Sequence, residues 1–129
     1  MYYYVFKGID MTKDLAIAHL LANFSYIDGD ISDVEVKKIK EIIKKMSLQV
    51  DIDNLIKEIL PKINDEEIKE YAESLAFLNL NLNDDEKVKL LRYGIEVIEA
   101  DGKIMDKEIF KLHFVATNWG IDIRRIFGK

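Results

Sequence analysis

The strongest constraint on the fold is that the chain repeats itself. A shift of 73 residues lays Asp28-Gly29 on Asp101-Gly102, Ile31 on Ile104, Asp33 on Asp106, Glu35 on Glu108 and Lys38 on Lys111. The preceding apolar pattern coincides too, Leu15 falling on Val88 and Ala18 on Leu91. Each copy reads helix, Asp-Gly-x-Ile-x-Asp-x-Glu, helix. Two such units predict an all-α helical bundle with an internal pseudo-twofold relation between residues 13–46 and 86–119.

Local signals agree with this. Residues 13–27 are apolar nearly all round, with His19 and Asn23 as one polar stripe, which predicts a helix buried on most sides. Residues 33–46 are amphipathic, with Val36, Ile39, Ile43 and Met46 on one face. Ser32 with Glu35, Asn64 with Glu67, and Asn83 with Glu86 have the spacing of capping boxes, each predicting a helix start. A short helix over 53–60 should end at Pro61, the only proline. Further helices are predicted from Asn64 (Ile68, Tyr71, Ala72, Leu75 and Leu78 inward), over 84–100, and over 106–119 (Ile109, Leu112, Ala116 and Trp119 inward). Gly120 suits a helix C-terminal cap. No linker interrupts residues 1–129, so the chain reads as one domain.

Composition narrows the function classes. With 129 residues, 49% apolar and 33% charged, the chain has enough apolar material for one core. The net charge of -5 argues against a phosphate-backbone binder. The absence of cysteine excludes disulfides, thiolate metal sites and a thiol nucleophile. The N-terminus lacks the pattern of a signal peptide, and the apolar run from Leu15 to Ala22 is too short to span a bilayer. A cytoplasmic protein, not embedded in a membrane, is expected. His19 and His113 do not correspond in the repeat and have no nucleophile at motif spacing, so no enzyme is expected.

The repeated motif has a structural and a functional reading. Structurally, Gly29 and Gly102 allow positive φ, the Asp before each accepts backbone N–H groups, and Glu35 and Glu108 cap the following helix. Functionally, the carboxylates hold a cation. Aligned on an EF-hand loop, Asp28 or Asp101 takes the fifth position and Glu35 or Glu108 the twelfth. Phe24 or Val97 would then stand first, so neither copy is an EF-hand. A weak or shared divalent site remains, calcium or a similar hard ion, and no other cofactor is expected. On the residues alone the structural reading is preferred.

Glu99-Ala100-Asp101-Gly102-Lys103-Ile104, with Glu108 after it, resembles the Ala-Asp-Gly-x-Ile signature of the TerB-like tellurite-resistance family. Ile27-Asp28-Gly29-Asp30-Ile31, with Glu35 after it, resembles a first copy. The resemblance implies a pseudo-symmetric helical bundle and a role in stress responses, free or as a module such as that of a membrane-linked J-domain co-chaperone. It also implies an acidic metal-binding surface, with Asp28, Glu35, Asp101 and Glu108 as ligands and Asp30, Asp33 and Asp106 in support. The first copy departs from the signature at Tyr26-Ile27.

A protein partner is expected, though the residues do not identify it. Lys37, Lys38, Lys40, Lys44 and Lys45 offer a basic face to an acidic partner, and Arg124-Arg125-Ile126-Phe127 reads as a sticky tail. A nucleic-acid role is disfavoured, because few Arg, Asn or Gln readers interleave those lysines. Tyr2, Tyr3, Tyr4 and Phe6 read as a lid packed over the bundle end.

Overall fold

The computed structural model describes residues 5–6, 9–10, 12–25, 31–59, 65–100, 102 and 106–127; for 5–6, 9–10, 25, 58–59, 65–71 and 127 only the backbone is described. A small antiparallel hairpin, β1 (Val5–Phe6) and β2 (Ile9–Asp10), precedes the helices. Seven helices follow among the described residues: α1 (Lys13–Ser25), α2 (Asp33–Lys45), α3 (Ile52–Ile59), α4 (Asp65–Asn81), α5 (Asp84–Glu99), α6 (Asp106–Asn118) and α7 (Arg124–Phe127). The expected all-α class is the one observed. The tyrosines of the expected N-terminal lid and the Asn64 cap lie outside the described residues.

Helix α1 is the hub of the bundle. It packs against α2, α3, α4, α5 and α6, and every residue from Ala16 to Phe24 is buried. Alanines at 16, 18 and 22 let neighbouring backbones approach closely, while Leu20, Leu21 and Phe24 fill the space between them. Complete enclosure corrects the expected polar stripe. His19 is 0% exposed, its Nδ1 3.1 Å from the buried Ser74 hydroxyl, and Asn23 is also buried. Five helices surround α1, so no face is left for solvent.

The helix ends follow from the chain's own chemistry. Ser32 and Asn83 both cap as expected, each accepting from the backbone N–H three residues on, while Glu35 and Glu86 return a carboxylate to the capping backbone. Helices α2 and α6 end alike, in the left-handed C-terminal motif. In α2, Ser47 N–H donates to Lys44 O at 3.1 Å and Leu48 N–H to Ile43 O at 3.0 Å. In α6, Gly120 N–H donates to Thr117 O at 3.1 Å and Ile121 N–H to Ala116 O at 2.9 Å. These four donors correspond one to one under the 73-residue shift. The first unit, however, uses a serine at φ 56° where the second uses glycine at φ 70°. Because a Cβ is penalised there, Ser47→Gly should stabilise the chain by about 1 kcal/mol in urea denaturation. A loss of stability would show that the serine side chain has a role of its own.

Several contacts join positions that the 73-residue shift relates. Lys13 and Glu86, equivalent under the shift, bridge one another at 3.4 Å. Lys38 of α2 reaches Glu96 of α5 at 3.3 Å, and its counterpart Lys111 of α6 reaches the Asn23 carbonyl of α1 at 2.8 Å. The positions contacted, 23 and 96, are themselves equivalent.

Two expectations about surfaces are corrected. Ala72, assigned to the inner face of α4, is exposed. The Arg124–Phe127 segment is no free tail: α7 packs on α5, Ile126 is buried, and Arg92 donates to the Arg125 carbonyl at 2.7 Å. Asp122 holds the turn before α7 by accepting from the Arg124 backbone and guanidinium. The Arg124 hydrogen bonds lower the Asp122 pKa from 3.8 to about 2. A carboxyl group depressed on folding contributes stability above its unfolded pKa, and that contribution disappears as the pH falls through the folded value. NMR titration should therefore give Asp122 a midpoint near 2, moving up towards 3.8 in Arg124→Gln. An unchanged midpoint in that variant would refute the pairing.

Candidate functional site

Of the seven expected metal-ligand acids, Asp28, Asp30 and Asp101, along with Gly29, lie outside the described residues. The other four occupy matched places at the starts of α2 and α6. Asp33 and Asp106 are the first residues of those helices and are exposed to water. Two positions on, Glu35 and Glu108 are 4% and 3% exposed. One helical turn places 33 and 35 at opposite sides of the axis, so the aspartates face out and the glutamates turn into the bundle.

Glu35 is the more informative of the pair. Its Oε1 accepts from the Ser32 backbone at 3.2 Å and from the Ser32 hydroxyl at 2.8 Å, which completes the capping box. Its Oε2 is buried and has no hydrogen-bond partner among the described residues. Leaving such an oxygen desolvated costs about 1–3 kcal/mol, more if charged, so this carboxylate is only half used by its capping role. Gly102 closes the second turn at φ 76°, its N–H bonded to Glu99 O at 3.0 Å. That is the left-handed conformation expected of it. No group of three or more His, Asp or Glu side chains within metal-holding reach occurs among the described residues.

The oxygen donors at the first turn suit a hard divalent ion, and the chain has no sulfur of cysteine to favour a soft one. Glu35 Oε2 fits such an ion as a ready ligand that needs no hydrogen bond to be broken. Glu108 has the same position and depth in α6. Among the described residues neither glutamate belongs to a group of three or more such ligands.

The expected lysine face is divided by its surroundings. Lys38 lies between Glu96 and Glu41, Lys40 pairs with Asp53 at 3.0 Å, and Lys45 stands 6.0 Å from the Tyr93 ring centre. Lys37 and Lys44 are exposed. Lys37 and Lys38 line an open groove of about 450 Å³ between α2 and the end of α5, with Val34, Glu41, Glu96, Glu99 and Ala100. Its charges are mixed, so the groove is not the purely basic surface expected from α2 alone.

Several features escaped the linear pattern. Phe110 and Phe114, one turn apart on α6, are 71% and 48% exposed. Their counterparts in α2 are Lys37 and Glu41, so the fold does not require aromatics there. Lys87 is buried in α5 and donates to Asn79 Oδ1 at 2.7 Å. Its apolar neighbours Leu91 and Ile98 on the same stripe were the available signal.

The model of the family described as tellurite resistance protein TerB matches residues 14–126. The chain therefore belongs to the TerB family. No curated protein and no solved structure matches it. The matched span runs from the first turn of α1 into α7 and includes the middle helices, for which the sequence motifs offered no resemblance.

Proposed function

We propose that this chain is a non-enzymatic, tellurite-resistance-type module that holds a divalent cation weakly at its first acidic turn and acts through a protein partner. The observation that supports it is the buried Oε2 of Glu35, without a partner among the described residues, a few positions after the Asp28–Asp30 stretch of sequence. A cation there would neutralise several carboxylates and tie the turn to the start of α2. Glu35 and Asp28 are its principal ligands in this reading, with Asp30 in support and Asp101 and Glu108 as the second copy. With few oxygens contributed by each turn, binding is weak, and water completes the shell. The cytoplasmic, stress-related setting is part of the same proposal.

The non-enzymatic part rests on residue chemistry. His19 is sealed in the core and cannot reach a substrate, and the exposed His113 has no nucleophile at a motif spacing. The second reading, an interaction module that needs no metal, is favoured by the exposed Phe110 and Phe114 on one face of α6. In this reading the nucleic-acid role stays disfavoured by the net charge.

Thermal denaturation separates the two readings. A divalent cation at about 100 times its dissociation constant should stabilise the native chain by about 2.7 kcal/mol, and Asp28→Asn/Asp101→Asn should remove the effect. If no divalent cation raises the melting temperature, the metal-free interaction module is the better account.

A further inference from the structure

We propose that Met46 is an oxidation-sensitive site, at which a peroxide converts the thioether to the sulfoxide and loosens the end of α2 from α1 and α5. The site lies at the opposite end of α2 from the acidic turn, about 20 Å along the helix, and does not depend on cation binding. Met46 is the C-terminal cap of α2, and its N–H donates to the Ile42 carbonyl at 2.9 Å. Its side chain is partly buried: it packs on the core and also lines a surface pocket of about 290 Å³. Under the 73-residue shift the same position in the second unit holds Trp119. That indole is buried and its N–H donates to the Leu75 carbonyl at 3.1 Å. The first unit therefore leaves open to small solutes a position that the second unit closes.

The pocket admits the reagent without having to recognise it. Hydrogen peroxide is uncharged and little larger than water, so the mixed charges of Lys13, Asp14, Glu86 and Lys89 around the pocket neither select nor exclude it. The methionine sulfur gives an electron pair to one peroxide oxygen as the O–O bond breaks. The other oxygen leaves as hydroxide and takes up the proton of the transferred oxygen, forming water. The thioether is oxidised to the sulfoxide, the peroxide is reduced, and no further reactant is needed.

The product no longer suits its surroundings. Ile17 of α1, Leu90 of α5, Leu48 and Leu82 give the pocket its apolar lining. A sulfoxide oxygen held against them forfeits its hydrogen bonds to water. Turning that oxygen outward draws the Met46 side chain off the core. The next residue, Ser47, stands at φ 56°, where a Cβ is penalised, so packing is lost where the backbone is already strained.

The test treats the full chain with hydrogen peroxide, maps oxidation by peptide mass spectrometry and records the melting temperature. Met46 should be oxidised under conditions that oxidise free methionine, and the melting temperature should fall by several degrees. Treatment with the two epimer-specific methionine sulfoxide reductases should restore both the thioether and the melting temperature. Met46→Leu keeps the volume and removes the sulfur, so it should melt close to the parent and lose little on peroxide treatment. Met1, Met11 and Met105 remain in that variant, which separates their oxidation from that of Met46. Met46→Gln, polar like the sulfoxide, should melt below the parent with no peroxide added. The proposal is overturned if Met46 stays reduced while free methionine is oxidised, if its oxidation leaves the melting temperature unchanged, or if peroxide lowers Met46→Leu as much as the parent.

Discussion

Phe24→Ala should lower the unfolding free energy by about 3–5 kcal/mol, measured by urea denaturation. The ring is fully buried near the end of α1 and lies against Gly94 of α5. Gly94 makes that approach possible: a Cβ added there would stand 2.5 Å from Phe24 Cε2 and 2.7 Å from Cδ2. Alanine is worth about 1 kcal/mol more than glycine inside a helix. Gly94→Ala should nevertheless destabilise the wild-type chain by about 1–3 kcal/mol, because an enclosed ring cannot move aside. In the Phe24→Ala background the same change should be neutral or stabilising, since the obstruction has gone. Equal effects in both backgrounds would show that the two residues are not coupled.

Trp119→Ala should cost a similar amount, about 3–5 kcal/mol, through the cavity left between α6 and α4. Trp119→Phe keeps most of the packing and should cost about 1–2 kcal/mol, largely from the lost indole bond to the Leu75 carbonyl. Its counterpart Met46 is only partly buried and lines a surface pocket, so Met46→Ala should cost about 2 kcal/mol or less. A larger loss at Met46 than at Trp119 would contradict this difference in burial.

Helix identity was legible wherever short-range chemistry decides it. Ser32 and Asn83 fix the starts of α2 and α5 through bonds three residues long, and Gly102 and Gly120 occupy left-handed positions as read. The 73-residue shift also relates the two contacts Lys38–Glu96 and Lys111–Asn23. What failed was burial on a helix whose surroundings come from distant sequence. His19 and Asn23 form a polar stripe on paper, but α4 and α6 close over them, and no local pattern announces that. Ala72 erred the other way, since alanine tolerates either environment. For the candidate site, the linear motif identified Glu35 as a cap. It did not show that capping takes only Oε1 and leaves Oε2 enclosed, because this depends on how α2 enters the bundle.

The same oxygen gives the most direct test. Calorimetric titration of the metal-stripped chain with calcium, magnesium and manganese should give weak, saturable binding for at least one ion. Glu35→Gln keeps an oxygen able to accept from Ser32 but removes the charge, so it should reduce that affinity by about tenfold or more. Without metal, this variant should be as stable as the parent or more so, because it buries no uncompensated carboxylate. Saturable binding that weakens in Glu35→Gln at retained stability is the result this account predicts. No binding by the parent chain, or undiminished binding by the variant, would contradict it.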